Sequence, residues 1–166
     1  MELKDYFLSG VEIVKLNGEE AVKVSRDTRA FVPAVLVFLI GGLAISIGVF
    51  IQDGLPPIGK TGMFIAGMAA TNLALSFFVA GMIHIMARLA GGRAAYGEYY
   101  RAMALGSITS WTQMIPFLGT FISLWSIPVN VVVLEKTHGI ARVKSIAIVV
   151  AAIAVTAVLL YSLDFV

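Results

Sequence analysis

The chain has 166 residues, 59% of them hydrophobic and 13% charged, with a formal net charge of +2 and no cysteine. A water-soluble domain of that size has too little interior to hide so much apolar side chain, so the composition excludes an ordinary soluble fold. Without cysteine there are no disulfides, thiolate metal ligands, cysteine nucleophile or cysteine lipidation, and without a dense basic block there is no expected nucleic-acid partner.

Residues 1–30 carry charges throughout and read as a cytoplasmic or interfacial N-terminal arm. Leu3, Phe7, Val11 and Val14 fall near one helical face, with Glu2, Lys4, Asp5 and Glu12 elsewhere. That pattern describes either an amphipathic helix lying in the membrane interface or a cap on the ends of the spans. The first apolar run begins too late and runs too long for a removable leader.

A spanning helix needs roughly 20 apolar residues to cross a hydrocarbon core about 30 Å thick. Residues 30–52, 61–87, 102–134 and 145–163 each lack Asp, Glu, Lys and Arg. The first span is predicted over Phe31–Ile51 and the second over Thr61–Ala87, separated by a rigid turn containing Pro56 and Pro57. The 33-residue run 102–134 is too long for one comfortable span, and Pro116 and Gly119 lie near its middle. It reads as two helices, Tyr96–Ile115 and Phe117–Leu134, joined by a tight turn. Pro128 is expected to kink the second of these about a turn before Asn130. The last span is predicted over Lys144–Tyr161.

Charges then sort by side. Lys23, Arg26, Arg29, Arg88, Arg93, Arg101, Lys136, Arg142 and Lys144 fall on one side, against Lys60, with Asp53 and Asp164, on the other. Short basic loops stay cytoplasmic. The expectation is therefore an all-α, polytopic transmembrane helical bundle over residues 31–163, with five spans, a cytoplasmic N-terminus and the C-terminus outside. Charge counting does not separate a full hairpin over 102–134 from a re-entrant one.

Lipid supplies no hydrophobic drive between helices, so small residues and hydrogen bonds must help hold a bundle together. Ala66, Ala70 and Ala74, then Ala102, Gly106 and Ser110, then Ala147 and Ala151, recur at four-residue spacing and read as packing faces. Polar residues form an intramembrane band: Asn72 with Ser76 in the second span, Thr109 and Gln113 in the third, Ser123, Ser126 and Asn130 in the fourth. An amide facing lipid leaves its polar groups unmatched, so these side chains are expected to point inward. They serve either as hydrogen-bond glue or as a polar path or small substrate site. No carboxylate or lysine lies in the central membrane, which argues against transport through a fixed buried charge.

Titratable and polar groups gather instead on the cytoplasmic rim: His84, Arg88, Glu98, Tyr99, Arg101, Glu135 and His138. A salt-bridged rim is the expected reading, with no metal and no cofactor. There is no HExxH, no GxSxG, no phosphate-binding glycine loop and no paired central carboxylates, so no catalytic residues and no enzyme activity are expected.

His84 followed by ARLAGGRAAYGEYYRAMALGS, then a Pro–Gly break, then LWSIPVNVVVLEKTHGIARVKS, resembles the Yip1-domain family of membrane proteins. The resemblance rests on His84, Arg88, Gly91, Gly92, Tyr99, Arg101, Pro116, Gly119, Trp125, Leu134, His138, Gly139 and Lys144 and covers roughly residues 60 to 160. It implies a five-span bundle with a cytoplasmic N-terminus. Eukaryotic relatives act in vesicle trafficking, bind prenylated Rab-type GTPases and form complexes with related membrane proteins. Their long cytoplasmic arm and their Asp-Leu-Tyr-Gly-Pro-type motif have no counterpart here, so a Rab-type partner is not expected, and the chain looks like a short prokaryotic branch in a cell membrane. The expected role is a non-enzymatic scaffold or membrane-organising protein acting through the rim. The expected partners are the lipid bilayer and a second copy or another membrane protein. The alternative is a small oligomeric channel or transporter using the polar band.

Overall fold

The computed structural model describes residues 2–162; Asp164, the C-terminus expected outside, and residue 163, the expected end of the transmembrane domain, lie outside the described residues. Two short helices open the chain, α1 (Leu3–Val14) and α2 (Gly18–Arg26). Their starts are capped as the sequence allows: Glu2 N–H donates to the Asp5 carboxylate at 2.8 Å, and Glu20 N–H donates to Asn17 Oδ1 at 3.1 Å. A single 3-10 turn, Thr28–Ala30, leads into α3 (Phe31–Asp53). The prolines at 56 and 57 then separate α3 from α4 (Ile58–Leu89).

The expected third helix changes character partway. α5 (Tyr96–Gly106) gives way to a 3-10 segment over Ser107–Met114. The longer rise of a 3-10 helix lets these 19 residues extend about 32 Å, the thickness of a hydrocarbon core, where a continuous α-helix would reach about 28 Å. The chain then turns at Ile115 into α6 (Pro116–Leu124), with Pro116 at the helix start where its missing N–H costs nothing. Gly119 makes the turn tight, because a Cβ there would sit 2.5 Å from Gln113 Cα. The expected fourth helix is broken at Trp125, and α7 (Ser126–His138) continues it. Pro128 cannot donate to the Leu124 carbonyl, which accounts for the break one turn before it. α7 ends on Gly139 at φ +66°, and α8 (Arg142–Ser162) completes the described chain.

Among the described residues, four helical stretches are long and apolar enough to cross a membrane: Thr28–Asp53, Ile58–Leu89, Pro116–His138 and Arg142–Leu159. The α5/3-10 leg rises beside them, packed along α3. Glycines on α3 set how close these neighbours come. A Cβ on Gly42 would lie 2.4 Å from Ala69 Cα, and one on Gly48 would lie 2.3 Å from the Gln113 carbonyl oxygen. Backbone thus meets backbone on both sides of α3.

α1 and α2 are folded onto the bundle. Both pack against α5 and α7, with Gly10 against the Leu105 carbonyl and Ile13 against Gly106. Each tryptophan ties one distant segment to another: Trp111 Nε1–H donates to the Val37 carbonyl and Trp125 Nε1–H to the Val14 carbonyl, both at 2.9 Å. The core is concentrated at the end of the bundle carrying the basic loops, where Tyr99, Tyr100, Leu105, Val133 and Leu134 are fully buried. The small-residue faces divide. Ala102 and Gly106 are buried, as expected for packing, whereas Ala66, Ala70, Ala74 and Ala147 lie exposed. The α4 stripe is not a packing face within one chain; on α8 Ala147 is exposed and Ala151 half-buried, and that helix packs mainly through Ser145, Ile148, Val149 and Ala152.

Candidate functional site: a tight rim and a polar cavity

The seven rim residues stand at the basic end but do not form one site. His84 on α4 and His138 on α7 come together, with Nδ1 of the first 3.4 Å from Nε2 of the second. Tyr96 stands edge-on to the His84 ring at 5.6 Å, and Tyr99 lies 5.5 Å from the His138 ring. Gly92 presses against this group: a Cβ there would meet His138 Nδ1 at 2.5 Å. The Tyr99 hydroxyl and His138 Nδ1 are buried without a hydrogen-bond partner among the described residues.

The charged members instead hold backbone. Arg101 donates through Nε, at 3.0 Å, and Nη2 to the Ser25 carbonyl, pinning α2 to α5. The Glu98 carboxylate accepts from Ala95 N–H at 2.7 Å and closes the start of α5. Arg88 donates to the Arg93 carbonyl at 3.2 Å and so fastens the α4–α5 loop. Of the seven rim residues, only Glu135 makes ion pairs among the described residues, with Arg142 at 2.7 Å and Lys136 at 3.6 Å. The rim is thus braced more by hydrogen bonds between charged side chains and backbone than by salt bridges. Among the described residues no group of three or more His, Cys, Asp or Glu stands where it could hold a metal ion.

The sequence reading missed the other half of this brace. The Tyr6 hydroxyl donates to Asp27 at 2.6 Å and the Ser9 hydroxyl to Glu20 at 2.6 Å, which clip α1 to α2. The bond from Tyr6 holds the Asp27 carboxyl below its usual range and, reciprocally, pushes the Tyr6 phenol up. Burial works against ionisation of Glu20, but the Ser9 hydroxyl and the Lys23 ammonium outweigh it and draw its carboxyl below the usual range. Residues 21 positions apart carry no periodic signal, so the contact had no trace in the sequence.

All six residues of the polar band line a single cavity of about 480 Å³: Asn72, Thr109, Gln113, Ser123, Ser126 and Asn130. Ser76, Ser107, Ser110 and Thr156 join them, and no Asp, Glu, Lys, Arg or His does. Some of these groups are satisfied by helix backbone. Asn130 Nδ2 donates to the Ser126 carbonyl at 2.8 Å, and Asn72 Nδ2 reaches across to the Phe38 carbonyl on α3 at 2.7 Å. The Ser110 hydroxyl is buried and has no partner among the described residues.

Four long apolar helices around an uncharged interior, with charges confined to the ends, define a polytopic integral membrane protein. The Yip1 domain model matches residues 17–163, nearly the whole chain. The chain belongs to the Yip1-domain family. No curated protein and no solved structure matches it.

Proposed function

We propose that this protein is a non-enzymatic membrane scaffold that organises partners through the rim at its basic end, with a prokaryotic cell membrane as its setting. The supporting observation is the platform formed where α1 and α2 fold back on α5 and α7. Ile13, Ala21 and Val24 are fully buried beneath it, while Lys4, Lys15, Lys23, Arg26, Arg93 and Lys136 point outward. A surface that is rigid beneath and charged above suits recruitment rather than chemistry. Residues 1–30 form the arm of this platform and 31–163 its transmembrane domain, in our reading.

The rim is taken as cytoplasmic because the short basic loops gather there. The α5/3-10 leg and the α6–α7 stretch are taken as a full hairpin, giving five spans. Support comes from the Gln113 carbonyl lying against Gly48, only five residues, or about 7 Å, before the end of α3. The partner is a second copy or another membrane protein.

Glu98 and Arg101 hold backbone and are poor places to test recruitment. Photo-crosslinking side chains placed at Lys23, Arg93 and Lys136 should capture one common partner in cells, and the same group at Ile58 or Met63 should not. Charge reversal at Lys23, Arg26 and Lys136 together should abolish the capture while leaving the protein folded. Equal capture from both ends, or solute flux through liposomes holding the purified protein, would overturn the proposal. Because the chain has no cysteine, single cysteines at Arg93, Arg142 and Lys60 report sidedness directly: the first two must label from one side and the third from the other.

A further inference from the structure

We propose that the cavity beneath the polar band is a binding site for one uncharged, hydroxyl-headed amphiphile that enters sideways from the lipid. Three features of its walls carry the inference, and none depends on the scaffold reading.

The first is the chemistry of the lining. Ten hydroxyl- or amide-bearing side chains face it and not one ionisable group. A charged head would lose its hydration there and find no counter-charge, so ionic ligands are excluded by cost. Several of these side chains have donors and acceptors to spare. Ser110 Oγ is buried and unpaired, and among the described residues the Gln113 amide and the Ser126 hydroxyl make no internal hydrogen bond. Unmatched polar groups in a bilayer require a partner.

The second is the division of the surface. The polar groups sit mainly on the 3-10 segment and on α6 and α7, whereas α4 and α8 contribute Leu75, Val79, Ile83, Val149 and Ile153. A ligand with a hydrogen-bonding head and an apolar tail matches both halves at once. The volume of about 480 Å³ falls within the range of small-ligand pockets.

The third is the position of the mouth. Toward the basic end the cavity is stopped by Ile83, Met103 and Val149, with Tyr99, Leu134 and His138 buried beneath them. It is therefore blind on that side and not a path across the membrane. α4 and α8 meet near that end, where Lys144 Nζ donates to the Ala90 carbonyl. Farther along, Leu75 and Ile153 line the cavity yet are 36% and 46% exposed. The cavity lining thus reaches exposed apolar side chains on both of these spanning helices, which suits a ligand arriving through lipid rather than through water.

The test uses the full chain purified in detergent micelles and a monoacylglycerol carrying a diazirine in its acyl chain. Irradiation should label the cavity-lining stretches of α4 and α8, around Leu75–Ile83 and Val149–Ala157, where the acyl chain would lie, and unlabelled monoacylglycerol should compete. Lysophosphatidic acid of the same chain length, which differs by its charged head, should compete at least about tenfold less well, one hydrogen-bonded group's worth of discrimination. Gln113→Leu and Asn130→Leu should each weaken labelling, and Ala157→Phe, at the exposed edge of α8, should block entry without disturbing packed backbone. Labelling spread evenly over the lipid-facing helices, or equal competition by the phosphate-headed lipid, would overturn the proposal, as would a cavity that takes up water alone. Should the leucine variants fail to fold, the competition between the two lipids on the unmodified chain still decides the matter.

Discussion

α4 and α8 each live two lives along their length. Near the basic end they bury Ala80, Ile83 and Ala87 on one helix and Ser145, Ile148 and Ala152 on the other. At the opposite end Ile58, Met63, Val158 and Tyr161 stand largely exposed. The two ends have similar apolar content but different neighbours. Where α1 and α2 fold back and polar loops must be satisfied, the chain closes into a soluble-like core. Where lipid surrounds the helices, packing brings no gain from leaving water, so the helices splay and leave a cavity between them.

The largest expected effect comes from cutting into the closed end. Leu134 is fully buried on α7, and Leu134→Ala should cost about 2–5 kcal/mol by loss of contacts and the void left behind. Val158→Ala on the splayed half of α8 should change stability by no more than about 0.5 kcal/mol. Thermal unfolding of both variants in micelles measures the contrast; equal losses would remove the distinction between the two ends. Next comes Arg101→Met, which strips two donors from the Ser25 carbonyl. About 1.5–3 kcal/mol is expected, the worth of a hydrogen bond to a charged group, and protease should then cut preferentially around α2.

A pair of glycines sharpens the comparison on a smaller scale. Gly42→Ala drives a methyl into the Ala69 backbone, which has no flexible side chain to yield, and should cost about 1–3 kcal/mol. Gly67→Ala, on the same helix as Ala69, meets nothing within 4 Å and should be neutral or stabilise by up to about 1 kcal/mol through helix propensity. A destabilised Gly67→Ala would mean that the exposed face of α4 is covered by something outside the chain.

Much of the lipid-facing half was legible in the sequence, because its rules are local. Long uncharged runs announce spans, and the cost of showing an amide to lipid forces Asn72, Gln113 and Asn130 inward, which is why residues from four helices converge on one cavity. The Pro128 break also follows from one residue. What stayed hidden was decided at long range or by close rivals in energy. The switch to 3-10 geometry at Ser107 has no residue signature, since Ser, Ile, Thr and Trp tolerate either helix. Ala66, Ala70 and Ala74 have the spacing of a packing face, yet small residues face lipid at little cost, and the spacing alone does not tell the two apart. At the basic end, Glu98 and Arg101 read as members of a charged rim, although each spends its charge on a backbone group.

The smallest expected effect concerns how α1 is held to the closed end, and pH reaches it. The Asp27 and Glu20 carboxyls, both clipped to α1, are held below their usual range in the folded state. Groups lowered in this way stabilise the folded arrangement fully above the unfolded carboxylate range near pH 4, and that contribution is lost as pH falls through the folded values. Tyr6 gives the mirror image: its phenol is raised, so its share is intact below about pH 10 and declines only above it. Acid should therefore loosen α1 while the spans, lacking carboxylates in their centres, stay in place. The readout is built in, for Phe7 lies edge-on to the Trp111 ring at 5.5 Å and Trp125 bonds to the Val14 carbonyl. Tryptophan emission should shift as pH drops below the carboxylate range and return on neutralisation. In Asp27→Asn the shift should shrink toward the residue left by Glu20. A shift of full size in that variant would place the acid-sensitive contact elsewhere and break the assignment of α1 to the Tyr6–Asp27 clip.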